Sequence, residues 1–281
     1  MVKNNRKLLT KHLLGIKINY PYKREKLEDL FSSFISSNEK NFIFTVNPEF
    51  VVDANSDNQF KDILNKSSFN SADGTGVVMA LKYQEYLSTS RSKLVSLFKV
   101  YFDLLFKDLA KDRLTGVEIV EFIFEYANLN HSSVFLLGGD SEKQVSEKLQ
   151  KSLEKKFPNI VFVGSSSKFS SRDFDDENTT NYISNCMKKK EVNSIDFLLV
   201  GYGHPYQEKW VSRNAHLLNT KIFVGVGGSF DFLSGIKPRA PKFLQTIGLE
   251  WLFRLFNEPS RFSRIWKAVV TFSYLIFKKV K

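Results

Sequence analysis

A single cysteine, Cys186, stands in a chain of 281 residues. No internal disulfide can form, and the composition fits a reducing compartment. The four histidines (His12, His131, His204 and His216) lack metal-ligand spacing, and Cys186 has no CxxC partner, so no zinc site is expected. Apolar runs fall short of the ~20 residues a spanning helix needs. Met1–Lys7 is basic without a following apolar block, so it is not expected to act as a secretory signal. The chain has no G-x-S-x-G elbow and no P-loop. Neither of two glycine clusters completes a dinucleotide fingerprint. Tyr206 occupies the third glycine position after Gly201 and Gly203, and Gly225-Val-Gly-Gly-Ser-Phe230 fails in the same way. A Rossmann-type oxidoreductase is thereby disfavoured. There is also no internal repeat and no low-complexity tract.

What is present is apolar and cationic. Hydrophobic residues make up 42% of the chain, with 27 phenylalanines, enough for a substantial core in one large α/β domain or a domain with an appendage. The net charge of +11 predicts attraction to an anion: nucleic acid, an acidic membrane surface or a phosphorylated substrate. Four apolar runs end in loops of glycine or small polar residues. They are Phe42–Val46 before Asn47-Pro48, Val134–Leu137 before Gly138-Gly139, Ile195–Val200 before Gly201-Tyr-Gly203, and Ile222–Val226 before Gly227-Gly228. Continuous rather than alternating hydrophobicity marks strands buried on both faces of a parallel sheet. Helical patterns at Glu142–Phe157 and Asp176–Lys190 intervene, giving a doubly wound, Rossmann-like α/β fold. In such folds ligands sit at the carboxyl ends of the strands, where these four loops fall.

Two stretches break this rhythm. Residues 83–112 contain Leu94–Phe106, an amphipathic or wholly apolar helix with lysines nearby. The stretch from Gly248 to Lys281 holds seven basic residues (Arg254, Arg261, Arg264, Lys267, Lys278, Lys279 and Lys281) against two acids, Glu250 and Glu258. Trp251, Phe253, Phe256, Trp266, Phe272, Tyr274 and Phe277 lie among them. Basic residues beside aromatics describe a segment lying on anionic lipid. The same mixture could bind nucleic acid, but Val269-Val270 and Leu275-Ile276 favour lipid. The division expected is 1–247 for the catalytic domain and 248–281 for a membrane-binding appendage.

Ser71-Ala-Asp73-Gly-Thr-Gly76 places a carboxylate on a glycine turn at the mouth of a helix. On the residues alone Asp73 reads first as an N-cap; the sharper reading is a rigidly held general base. Glycine loops at helix starts offer free amides to phosphate oxygens. Asp173-Phe-Asp175 has a D-x-D spacing but reads as an acidic helix start, where the dipole favours acids.

Taken together, the motifs resemble the bacterial glycosyltransferases of the WecG/TagA/CpsF group. The matching elements are Thr45-Val-Asn47-Pro48, Ala72-Asp73-Gly-Thr-Gly76-Val-Val78, Arg113-Leu-Thr-Gly116, Gly138-Gly139, Gly201-Tyr-Gly-His-Pro205-Tyr-Gln207-Glu208, Gly225-Val-Gly-Gly-Ser-Phe-Asp231, Arg239-Ala-Pro241, Gly248-Leu-Glu250-Trp251, Arg254 and Glu258-Pro-Ser-Arg261. They run through nearly the whole chain in family order. The resemblance implies an inverting, metal-independent transfer without a cofactor. An N-acetylmannosamine-type sugar would pass from a UDP-sugar to a sugar on undecaprenyl diphosphate, at the cytoplasmic membrane face. It implies Asp73 as base, reversing the preference for an N-cap. It places Thr45, Asn47, Arg113 and Gln207 at the substrate, together with Gly138, Gly139, Gly201, Gly203, Gly227, Gly228, Asp231 and Arg239. Arg254, Arg261 and Arg264 would meet the lipid diphosphate. The partners implied are therefore the donor, the lipid-linked acceptor and an anionic membrane surface, not nucleic acid; self-association as a homo-oligomer stays open. Two departures stand out. Ala72 replaces the family's usual proline, and 36 residues (77–112) separate Gly76 from Arg113, implying an insertion at about 84–108 that serves as another membrane contact or a lid.

Overall fold

The computed structural model describes residues 8–90, 92–107 and 109–280; Met1–Lys7 and Lys281 lie outside them. Eight strands, β1 (Thr10–Leu13), β2 (Ile16–Asn19), β3 (Asn41–Val46), β4 (Phe69–Ala72), β5 (Ser133–Gly138), β6 (Val161–Ser166), β7 (Ile195–Gly201) and β8 (Thr220–Gly225), form one sheet ordered β1-β2-β4-β3-β8-β7-β5-β6. Only the β1–β2 hairpin is antiparallel; every other pairing is parallel. The α/β class expected from the apolar runs is the one observed.

Alternate residues of the central strands feed two cores. Phe44, Val46, Leu198, Val200 and Phe223 face one way, with residues of α2 (Pro48–Ser56), α3 (Asn58–Lys66), α4 (Thr75–Ser90), α8 (Asp176–Lys189) and α9 (Tyr206–Asn214). Ile43, Phe197, Leu199, Ile222 and Val224 face the other, with α1 (Leu27–Ser36), α6 (Gly116–Leu129) and α7 (Val145–Lys156). A strand covered on both sides has no polar face to show, which is why these strands read as unbroken apolar runs.

The apolar 83–112 stretch is two helices rather than one. The first, α4, ends at Ser90; Ser92 then caps α5 (Lys93–Phe106), its hydroxyl accepting from the Val95 amide. The chain returns at Leu114, whose N–H bonds the Ala72 carbonyl at 3.1 Å. The excursion therefore begins and ends beside Asp73. Beyond α10 (Ser229–Leu233), the short helices α11 (Lys242–Thr246), α12 (Glu250–Asn257), α13 (Phe262–Trp266) and α14 (Phe272–Lys279) cross back over the carboxyl ends of the strands, α13 and α14 joined by a π-helical turn at Lys267–Thr271. The C-terminal segment is anchored: Phe272, Ile276 and Val280 are buried in the same cluster as α2 and α4. None of the helices among the described residues is long and apolar enough to cross a membrane.

Candidate active site

Asp73 follows β4, its own N–H held by the Val46 carbonyl at 2.9 Å. Its side chain does not cap α4. Oδ2 accepts instead from the Gly116 amide, at 3.2 Å, at the start of α6. That helix begins sharply because Thr115 and Glu118 form a reciprocal capping box, which turns the first amides of α6 toward the carboxylate. A Cβ at Gly116 would stand 3.2 Å from Ser229 Oγ and 3.4 Å from Thr45 Oγ1, a tight fit that would press on both side chains. Thr45, Ser229, Gly116 and Asp73 thus converge from β3, α10, α6 and the β4 loop.

Above them lies a charged cluster from the C-terminal segment. Arg113 Nη1 is 3.5 Å from Glu250 Oε2, and Arg113 Nη2 donates to Gln245 Oε1 at 3.3 Å. Glu250 also pairs with Arg254 at 2.6 Å. Burial pushes the Asp73 carboxyl up to about 6, with the Glu250 charge adding to the rise and the Gly116 amide, Arg254 and Arg113 opposing it. Burial acts to raise Glu250 too, but Arg254 and Arg113 hold it below its ordinary value. One carboxyl is therefore poised near neutrality and its neighbour fixed as an anion, as in acid–base sites built from paired groups.

The other expected positions distribute unevenly. Asn47 caps α2, its oxygen accepting from Glu49 and Phe50, while its NH2 group makes no hydrogen bond among the described residues. Arg239 lies close enough to Glu250 to lower its proton affinity and makes no ion pair among the described residues, so its guanidinium is uncommitted. Gly138, Gly139, Gly203 and Gly227 all adopt positive φ at the ends of β5, β7 and β8, and Gly203 and Gly227 face open space. Gly201 packs under Phe230, and Gly228 opens α10. Asp231 is tied to Lys237 at 2.8 Å, which also bridges to Glu258.

Gln207 is not a free amide in the cleft wall. It is 1% exposed, and its Oε1 accepts from the Gly203 and Gly227 amides at 3.1 and 2.8 Å while Nε2 donates to Glu208 at 2.6 Å. It braces the β7 and β8 glycine loops from beneath and offers a ligand their shape. Glu208, wholly buried, is pushed up to about 7 by burial, partly offset by Gln207 and the nearby His204. Gln207→Leu leaves two loop amides and this acid without their partner; denaturant unfolding is expected to show a loss of about 2–4 kcal/mol.

Of the C-terminal arginines only Arg254 reaches the Asp73 environment. Arg261 pairs with Glu258 at 2.8 Å, and Arg264 with Glu49 of α2 at 2.9 Å. Lys267 joins His204 on Asp53 of the same helix. Sequence reasoning did not single out Glu250 or Gly116 for a role of their own, though both fall within motifs it quoted. Asp173–Asp175, expected as an acidic helix start, form a short 3-10 turn leading directly into α8, whose first turn carries Asp176 and Glu177.

A carboxylate of raised pKa thus lies under arginines and beside a helix-start amide at the rim of a parallel sheet. The chain belongs to the glycosyl transferase WecG/TagA/CpsF family, whose pattern matches residues 11–105 and 100–281, the two segments meeting within α5. It is an enzyme, a glycosyltransferase. Among its relatives are the N-acetylglucosaminyldiphosphoundecaprenol N-acetyl-beta-D-mannosaminyltransferases of Staphylococcus aureus strains MRSA252 and MW2. Each is 30% identical over 267 residues, covering 95% of this chain and 91% of the relative.

Proposed function

We propose that this enzyme transfers an N-acetylmannosamine-type hexosyl unit from a UDP-sugar to a sugar borne on undecaprenyl diphosphate, inverting the anomeric centre. The acceptor follows from the activity for which the relatives are named, and the donor from the family resemblance. The observation that carries the reading is Asp73 on the α6 N-terminus beneath Arg113, Glu250 and Arg254. In its ionised form Asp73 takes the acceptor hydroxyl proton as the oxygen attacks the anomeric carbon, while the UDP oxygen leaves on the opposite face. The negative charge that develops on the diphosphate is met by Arg113, the uncommitted Arg239 and the glycine-loop amides at the ends of β7 and β8. Thr45 and Asn47 line the floor between them. Arg261 and Arg264 reach the lipid diphosphate by exchanging Glu258 and Glu49 for phosphate oxygens, and the enzyme works on the inner membrane face.

The direct test is a mass-detected transfer assay over a panel of UDP-sugars with a short-chain lipid-diphosphate acceptor. Product is expected with a UDP-N-acetylhexosamine; no product with any donor of the panel sinks the reading. Because arginines and amides carry the diphosphate charge, EDTA is expected to leave the rate within about twofold, whereas loss of a metal-borne charge would cost several kcal/mol.

A further inference from the structure

Helix α5 is built inside out. Its inward residues include Ser96, Val100 and Asp103, all buried: Ser96 Oγ meets Ser90 Oγ at 2.7 Å, and Asp103 is held by the Tyr86 hydroxyl and by Lys107 at 2.9 Å. Its outward residues are Leu94 (74% exposed), Phe98 (73%), Leu105 (64%) and Phe106 (72%), with Tyr101 and Phe102 about half exposed. A helix that needed only to cover α4 would turn these side chains inward; a contiguous apolar face left outward marks a surface awaiting an occupant.

Charge selects that occupant. Asp103 is the sole acid of residues 93–107 and is buried, so the charged side chains that α5 itself brings to its outer surface are Lys93, Lys99 and Lys107. Lys93 also fastens α5 to the C-terminal segment. Its Nζ donates to the Phe277 carbonyl at 2.6 Å and lies 4.9 Å from the Phe277 ring. There the α5 face adjoins the exposed Tyr274 and Phe277 of α14, and with them Lys278 and Lys279.

We infer that α5 is a second interfacial helix, seated in the surface of an anionic bilayer with its leucines and phenylalanines among the acyl chains and its lysines at the headgroups. At 14 residues it is about 21 Å long, too short to span and suited to lying in the plane of the interface. It is not a lid: Asp103, Ser96 and Lys93 pin it along its length to α4 and α14. With α14 it makes one platform that sets the Asp73 cleft beside the membrane. This inference rests on the proposed function for the reason the enzyme needs a membrane, but its test needs no substrate.

The full chain is sedimented with vesicles of phosphatidylglycerol and phosphatidylcholine, and with phosphatidylcholine alone. The wild type is expected to partition preferentially to the anionic vesicles. Phe98→Ser combined with Leu105→Ser and Phe106→Ser is expected to weaken that partitioning about tenfold or more, with circular dichroism unchanged. Transfer to a water-soluble short-chain acceptor should persist in this variant while transfer to a vesicle-borne acceptor falls. Phe98→Trp is a milder change. The indole emission it adds over the wild type should shift to the blue when anionic vesicles are supplied. Unchanged partitioning of the triple variant, or no shift in that added emission, overturns the inference. So does a wild-type dimer that the triple variant converts to monomer with vesicle binding intact, since a second copy would then be the occupant. Wild-type protein that binds vesicles through α5 but transfers no sugar would refute the proposed reaction and leave this inference standing.

Discussion

Asp73→Asn is expected to lower the transfer rate by about a thousandfold or more, the range typical of removing a positioned general base. UDP affinity, measured by calorimetry, should stay within about threefold, because Asn retains the acceptor for the Gly116 amide. The wild-type rate should fall as pH drops through about 6, where the Asp73 carboxyl takes up its proton and can no longer act as base. The same burial has a cost in stability. The folded-state value lies above the ordinary 3.8, so the native state binds the proton more tightly than the unfolded chain. The corresponding stability is full below about pH 3.8 and is lost as pH rises through about 6. At pH 7 the neutral Asn variant should therefore be more stable than wild type, by up to about 3 kcal/mol. An inactive variant that is also no more stable would mean that the carboxylate is not held in the environment described. Full activity would remove Asp73 from the mechanism.

Arg113→Ala should be nearly as damaging. Arg113 stands between Thr75, Gln245 and Glu250 and is only 10% exposed, so no solvent cation substitutes for it easily. On the proposed mechanism its loss removes a donor to the departing diphosphate, and losing such charge stabilisation costs about a hundredfold to a thousandfold in kcat. It also removes one of the cations that hold Asp73 down, leaving Glu250 to push it further up. The acid limb of the pH profile should shift to higher pH. Arg113→Lys restores the charge without the planar fork and should recover the pH limb more fully than the rate. A normal limb with a reduced rate in both variants would separate Arg113 from Asp73. The C-terminal arginines are poorer targets for truncation than the composition suggests: removing the chain from residue 248 would strip Phe272, Ile276 and Val280 from the core as well.

The parts of the fold legible in the sequence were those whose burial is two-sided. The β3, β5, β7 and β8 strands are apolar at nearly every position because the sheet hides both faces, so each read as a run with a loop after it. The short β4 did not. It runs Phe-Asn-Ser-Ala with all four residues buried; the Asn70 N–H and NH2 donate to Asn19, Lys17 and Leu64, while its Oδ1 has no partner among the described residues. Polar residues satisfied by distant partners carry no apolar signal. The edge strands β1 and β6, the latter with its Gly164-Ser165-Ser166 end, and β2 beside β1 were silent for related reasons. The break between α4 and α5 rests on the Ser90–Ser92 cap, which the apolar content on both sides concealed.

For the candidate site, chain order alone determined that the loops following buried strands gather at one rim; it was the family resemblance that singled out Asp73, Arg113 and Gln207 there. What each residue does there was decided by tertiary contacts. Asp73 looked like the cap of the helix after it and instead faces the start of α6, 43 residues further along. Gln207 looked like a ligand contact and holds two loops from below. The proton affinity of Asp73 depends on Glu250 and Arg254 from the other end of the chain. A side chain's identity is local, but its solvation and its charged neighbours are set by whatever the fold stacks against it, and those two quantities govern whether a carboxylate caps, pairs or reacts.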